Sequence, residues 1–281
     1  MVTMRSTAVT PPPERATRRG WRAPRGLTRL AQLGRRLIVP VALLVLWQLL
    51  IDFGVYSRGQ LPAPLDVVAA ARELAALDLL GPHVATSLGR VLWGFAWGSA
   101  AAIVLGLAVG VSRPAAEMLA PTLGAIRAVP SLAWVPLLLL WLGFGEAPKV
   151  TLVAIGAFFP VYTNLVAGVR GIDRKLVEVG RAYGLRGFTL VRGIFFPAAL
   201  PSLLTGLRLG LVQGWLFLVA AELLGASQGL GFLLTDGSNT GRVDITVLSI
   251  LLLALLGKGS DGLLGLLERR LLRWSDTFRA A

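Results

Sequence analysis

Two stretches of this chain, Val91–Val111 and Val150–Val169, run for twenty-one and twenty residues without a charge. Helices of that length cross a hydrocarbon core of roughly 30 Å. Uncharged runs this long mean that the solvent around them is lipid, and no other feature limits the fold as strongly. Only 15% of the residues are charged and 55% are hydrophobic. A soluble globular chain carries about 25% charge. The expectation is an all-α integral membrane protein.

Further apolar runs bring the number of transmembrane helices to about six. The first is Leu37–Ile51, extending to Tyr56 across Asp52 and Gly54. It follows a basic stretch, as the core of a signal peptide would. That stretch is too long, however, and no small-residue cleavage site follows Leu50-Ile51-Asp52-Phe53. The run is read as a retained transmembrane helix. From about Leu61 to His83 the chain turns polar–apolar. There Leu65, Val68, Ala69, Ala71 and Leu74 recur near helical spacing behind Pro64, which a first helical turn tolerates. This is a short surface or interfacial helix. The third run, Ala128–Phe144, follows Arg127 and contains Pro130 and Pro136. The fifth covers Ile194–Leu224, with Pro197, Pro201, Arg208 and Glu222 inside it. The sixth is uncharged from Ile245 to Leu256, then meets Gly257-Lys258-Gly259-Ser260-Asp261 before Leu263–Leu267. A lysine at that depth costs roughly 2.5–3.5 kcal/mol on insertion scales. Pairing with Asp261 or snorkelling would reduce the cost, and the sequence allows a local break of the span there.

The net charge of +13 is unevenly spread. Residues 1–36 hold nine arginines against the single acid Glu14, a net +8 in a Pro-rich segment without apolar period. Such a segment buries too little surface to offset the entropy of ordering, so it is read as a disordered, lipid-facing tail and not as a nucleic-acid arm. Arg113 lies between spans two and three, and Arg170, Arg174, Lys175, Arg181, Arg186 and Arg192 between spans four and five. Arg269, Arg270, Arg273 and Arg279 follow span six. The alternate loops are poor in positive charge, with Arg58 and Arg72 in the first, Lys149 in the second and Arg242 in the third. Every basic segment falls on one side, so both termini are expected in the cytoplasm.

Composition also excludes chemistry. Without cysteine there is no disulfide, zinc ribbon or thiol nucleophile, and the single His83 rules out a site needing two imidazoles. A membrane hydrolase built on such groups is therefore excluded. His83 itself reads as a solvated loop residue. Gly257-Lys258-Gly259-Ser260 is no phosphate loop, because no glycine stands five residues before Gly257.

The loop between spans four and five, Asp173 to Pro197, carries the functional signal. Asp173 is a plausible N-cap, and Leu176, Val179, Gly180 and Tyr183 share one helical face. Gly184 can take positive φ and end that helix, and Thr189 stands near the start of a second. The result is a short helix–turn–helix whose apolar stripe needs a partner that lipid cannot supply.

The spacing Glu178-x5-Gly184-x9-Ile194-x-Phe196-Pro197 resembles the E-A-A-x3-G-x9-I-x-L-P loop of ATP-binding-cassette importer permeases. From Leu61 to Trp274 the chain resembles the nitrate/sulfonate/taurine group. The resemblance is carried by Leu61-Pro-Ala-Pro64, Ala128-Val-Pro-Ser-Leu-Ala-Trp-Val-Pro136, Ala221-Glu-Leu-Leu-Gly225 and Leu267-Glu-Arg-Arg-Leu-Leu-Arg-Trp274. It implies a type I importer permease fold, with a basic N-terminal tail at 1–36 and a transmembrane permease domain at 37–281 (core about 84–270). It implies a non-enzymatic inner-membrane subunit working as a homodimer, with separate ATPase subunits that carry ATP and magnesium and a periplasmic or lipid-anchored substrate-binding protein. The expected cargo is a small anion such as an aliphatic sulfonate, taurine or nitrate.

On this resemblance Glu178 is the motif acid, Gly184 makes the turn, Ile194 lies in the second helix and Pro197 ends it. Val179 and Gly180 replace the motif alanines, and the glycine costs the first helix about 1 kcal/mol. Pro130, Trp134 and Glu222 are candidates for the translocation path. Arg127 and Arg208 read as snorkelling to the cytoplasmic interface, and Trp93, Trp97 and Trp141 as aromatic-belt residues. Gly94/Gly98, Gly106/Gly110 and Gly206/Gly210/Gly214 predict close helix packing. An ion-driven secondary transporter is the alternative, and another small solute for the same kind of permease is a second. The former would need inverted repeats with broken helices, which the sequence does not display.

Overall fold

The computed structural model describes residues 25–273, all of whose regular structure is helical. Residues 1–24 and 274–281, which include much of the basic tail and Trp274, lie outside the described residues. The chain divides into two units, one ending at Leu50 and the other starting at Ile51. The first unit is the bulk of helix α1, Arg25–Asp52, which begins inside the segment read as a tail.

In the second unit, α2 (Pro64–Ala76) is the expected short helix, started by Pro64 and capped where Asp66 accepts a hydrogen bond from the Ala63 N–H at 2.9 Å. Its buried face is Val67, Ala70 and Leu74, so Leu65 and Val68 of the expected stripe point outward. Helix α3 (Leu80–Val111) is the first long span.

The third apolar run is not one straight helix. Helix α4 (Arg113–Ala128) stops because Val129 precedes Pro130 and is driven to extended geometry, φ −71° and ψ 125°. A 3-10 turn (Ser131–Trp134) leads into α5 (Val135–Leu142), which Pro136 starts and Gly143, at φ +75°, ends. The two helices are bent by 84°.

Helices α6 (Glu146–Arg170), α9 (Phe196–Gly225) and α11 (Val243–Leu271) are the other long spans. The loop between α6 and α9 folds as α7 (Arg174–Ala182), α8 (Gly187–Leu190) and a π-helical turn (Val191–Phe195). A further short helix, α10 (Leu230–Asn239), precedes α11. Among the described residues four helices are long and apolar enough to cross a membrane, five if the bent pair is one span. The count reaches six only when the shorter apolar part of α1, Leu37–Asp52, is added.

Helix α6 is the centre of the packing, and glycines place it there. A Cβ on Gly94 would stand 2.6 Å from Val153, and on Gly110 2.8 Å from Val169, so α3 lies directly against α6. On its other side Gly206 and Gly210 of α9 would place a Cβ 2.9 Å from Asn164 and from the Ala157 carbonyl. Close backbone approach of this kind is how helices associate where lipid removes the hydrophobic drive. Around it Ala102, Val109, Val161, Leu165 and Leu203 form one buried cluster, and Val91, Val153, Leu211 and Leu218 a second.

The sixth span is unbroken. Lys258 pairs with Asp261 at 3.7 Å, and Asp261 receives a two-pronged bond from Arg208 at 2.9 and 3.1 Å. Arg208 also reaches Glu268 at 3.3 Å, so it is tied to α11. Trp215 donates to Ser260 at 2.9 Å. The charged stretch is therefore matched by α9 and needs no helix break.

Candidate functional site

The sequence-predicted loop folds as a compact knob at one end of the spans. Asp173 caps α7 by accepting from the Lys175 N–H at 2.9 Å. Gly184 takes φ +82°, a conformation that costs other residues roughly 1–2 kcal/mol, and turns the chain back. Thr189 and the backbone of Arg186 exchange bonds at 3.2 and 2.6 Å, which starts α8. Gly180 is buried, and a Cβ there would sit 3.0 Å from both Ile194 and Leu190. The missing motif alanine thus lets α7 settle on the second half of the loop. Ile194 is the residue it settles on.

One motif residue behaves differently from expectation. Pro197 does not end the second helix; it stands in the first turn of α9, and α8, the π turn and α9 run on as one helix. The physical reason is the π turn: the Phe196 N–H bonds to the Val191 carbonyl, a wider ring that accommodates the donor proline lacks. Glu178 forms only an exposed pair with Arg174 at 3.1 Å. The knob leaves Leu176, Val179 and Tyr183 exposed on α7, and Phe188 on α8, with Tyr183 85% accessible.

The three path candidates are not brought together. Pro130 marks the bend after α4, and Trp134 packs with Val135, Leu138, Leu152 and Ala221. Glu222 lies in a polar network at the opposite end of the spans from α7. Its side chain is fully buried, and its carboxylate accepts from Arg90 at 2.7 Å, Ser87 at 2.8 Å and the Gly231 N–H at 2.7 Å. Arg90 in turn holds Glu146 through two bonds of 2.6 Å and donates to the Gln228 carbonyl at 2.6 Å. Lys149 stands 3.4 Å from Glu146, so two cations face two anions.

His83 is not a solvated loop residue. It is buried on α3, stacked on Phe232, and its Nδ1 accepts from the Gly229 N–H at 2.9 Å. Ser87 accepts from the Leu230 N–H at 2.8 Å. Three successive N–H groups at the start of α10 are thus satisfied by His83, Ser87 and Glu222 from other helices. These are the donors that a helix start leaves unpaired, and the helix dipole favours a carboxylate there. Gly229, at φ +130°, is required because a Cβ would lie 2.5 Å from the Glu222 carboxyl carbon. Sequence reasoning singled out Glu222 but missed Arg90, Glu146 and Ser87; an arginine at the mouth of an uncharged run was the available signal.

Nearby, Arg242 joins α2 to the start of α11, bonding Glu73 at 2.8 Å and Asp244 at 2.9 Å. The guanidinium holds the Glu73 carboxyl below its ordinary 4.5. A lowered folded-state value means the tie stabilises above the unfolded pKa and is lost as the pH falls through the folded one. A carboxyl NMR titration of Glu73 is expected to give a midpoint below 4.5 that Arg242→Gln returns toward it. An unshifted midpoint in the unsubstituted protein contradicts this.

A cavity of about 470 Å³ lies mid-span between α4, α6 and α9, with Arg127, Asn164, Gln213 and Phe217 on its walls. None of Pro130, Trp134 and Glu222 lines it. Arg127 therefore faces the cavity. Among the described residues no group of three or more His, Cys, Asp or Glu is placed to hold a metal ion.

Residues 94–273 match the family described as "Binding-protein-dependent transport system inner membrane component". The chain is 41% identical over 240 residues to the aliphatic sulfonates transport permease protein SsuC of Escherichia coli, covering 85% of this chain and 91% of that one. It is 38% identical over 242 residues to SsuC of Bacillus subtilis, covering 86% and 88%. In fold it is similar to a chain of an inward-facing MetNI methionine ABC transporter, with TM-score 0.57 and 21% identity, over 69% of this chain and 94% of that one.

Proposed function

The chain belongs to the binding-protein-dependent transport system inner membrane components, and from that premise we propose that it is the permease subunit of an ATP-driven importer of a small anion, an aliphatic sulfonate, taurine or nitrate. It is a multi-pass inner-membrane protein. Both termini and the α7 knob lie in the cytoplasm, a reading supported by the basic residues that cluster on that side. A substrate-binding protein delivers solute at the opposite end, and two copies of the chain assemble around the path. ATP and magnesium are held by separate ATPase subunits, each docked on one knob.

The observation that carries this reading is the knob itself. Leu176, Val179 and Tyr183 present an apolar stripe on an otherwise charged loop, on a turn fixed by Gly184. A stripe of that kind on the aqueous side calls for a protein partner. A rigid knob that moves as one body can pass the ATPase closure on to α9, because α8 runs into α9 without a break.

The test is co-purification. Co-expressed with its ATPase, the unsubstituted chain is expected to hold the partner through gel filtration. Val179→Asp with Tyr183→Asp, which buries two charges at the contact, is expected to lose it by at least about tenfold in affinity. Retention of the ATPase by the doubly substituted chain overturns the docking assignment.

A further inference from the structure

Helix α11 carries a stripe at helical spacing, Lys258, Asp261, Gly262, Gly265, Glu268 and Arg269, and with Arg208 of α9 it lines a cavity of about 370 Å³. A Cβ on Gly262 or Gly265 would meet nothing within 4 Å, so the floor of the cavity is open. The lining sets Arg208, Lys258 and Arg269 against Asp261 and Glu268, a net +1. Arg208 takes up both acids, with two bonds to Asp261 and one to Glu268. Lys258 is left 85% exposed, with one loose contact of 3.7 Å to Asp261. Arg269 has no ion pair or hydrogen bond among the described residues. Two cations therefore line the cavity without an acid of their own.

Twenty residues of helix rise about 30 Å, the depth of a hydrocarbon core. Counted from Val243 they take α11 to Gly262, and counted back from Gly225 they take α9 to Gly206. The cavity thus straddles the edge of the core on the side of the α7 knob. One and two turns deeper than Lys258, Leu255 and Leu251 are exposed on α11, and only 17% of the apolar stretch of that helix is buried.

We propose that this cavity holds the headgroup of an anionic phospholipid from the leaflet on the α7 side. Its phosphate accepts from Lys258 and Arg269, its glycerol backbone lies over Gly262 and Gly265, and its acyl chains run along Leu255 and Leu251. Basic cavities between membrane helices at a leaflet edge favour such headgroups. A zwitterionic headgroup would bring an ammonium to acids that Arg208 already holds. Free phosphate has no apolar part to cover the leucines. The site lies apart from the cavity between α4, α6 and α9 and does not depend on the importer reading.

The chain contains no cysteine, so Gly265→Cys places a single reporter on the cavity floor, in open space. The delipidated full-length chain in neutral detergent is labelled with a maleimide, with and without dioctanoylphosphatidylglycerol. At about ten times its dissociation constant the lipid is expected to slow labelling about tenfold. Dioctanoylphosphatidylcholine and inorganic phosphate at the same concentration are expected to leave the rate unchanged. Lys258→Gln with Arg269→Gln is expected to abolish the protection. Arg113→Gln, which removes a 94% exposed charge elsewhere at that end, is expected to leave it intact. Lipid gathered by the basic residues 1–36 does not register at so local a reporter. Gly262→Cys, a second open position, guards against a reporter that disturbs the site. Undiminished protection in a doubly substituted chain that elutes normally from gel filtration overturns the proposal. So does equal protection by phosphatidylcholine or phosphate, or none by phosphatidylglycerol at either reporter. A thiol that resists labelling before lipid is added, or that the ATPase alone shields, overturns it as well, because a protein surface then covers the cavity.

Discussion

Arg90→Leu is expected to destabilise the protein by about 3–5 kcal/mol, the range found when one member of a buried ion pair is removed. The carboxylate of Glu222, fully buried, would keep its bonds from Ser87 and Gly231 but lose its counter-charge. Glu146 would lose both of its 2.6 Å bonds from Arg90 as well, though it is partly exposed and can be hydrated. Thermal melting in detergent of the purified complex measures the loss. Adding Glu222→Leu to Arg90→Leu is expected to restore only part of it. Replacing a buried pair with apolar groups is often neutral, but here Glu222 also satisfies the Gly231 N–H, which would be left orphaned at the start of α10. Full recovery in the double variant would mean that the carboxylate is not needed as a cap. Loss below about 1 kcal/mol for Arg90→Leu would mean that the network is not a closed, desolvated unit.

The second large effect is expected at Gly98. A Cβ there overlaps the backbone of Ala154, which cannot swing aside as a side chain would. Gly98→Ala must separate α3 from α6, at an expected cost of about 1–3 kcal/mol. Gly124→Ala on α4 meets open space and is expected to be neutral or to stabilise by up to about 1 kcal/mol through helix propensity. Equal melting temperatures for the two variants would contradict the glycine-guided packing of α3 on α6.

The knob and the long spans were legible because their signals are local. Asp173, Gly184 and Thr189 act within one turn of their own positions, and an uncharged run of twenty residues announces a helix without help from elsewhere. The glycines spaced by four on α3 and α9 were legible for the same reason, and the structure turns both sets toward α6. Sequence spacing did not contain the pairing of Arg90 with Glu146 and Glu222, which join three helices across the chain. The same gap left His83 misread: its partner is the Gly229 N–H, 146 residues away. Lys258 looked like a break, but its counter-charge is Asp261 in the next turn of the same helix, and what the sequence did not show is that Arg208 of α9 holds that carboxylate in place. The third run, by contrast, carried its own warning in Pro130. What it lacked was the size of the bend, which depends on where α5 packs.

The central claim is that ATP hydrolysis on a separate subunit drives solute through this chain by way of the Gly184 turn. The direct measurement is uptake of labelled ethanesulfonate into proteoliposomes holding the permease, its ATPase and its binding protein, with and without ATP, for the unsubstituted chain and for Gly184→Val. A β-branched residue at φ +82° deforms the turn between α7 and α8 without touching any span. The unsubstituted complex is predicted to accumulate sulfonate only with ATP. Gly184→Val is predicted to lose accumulation while the permease itself stays folded. Accumulation without ATP, driven by an imposed ion gradient, or unchanged ATP-driven uptake by Gly184→Val, would contradict the account.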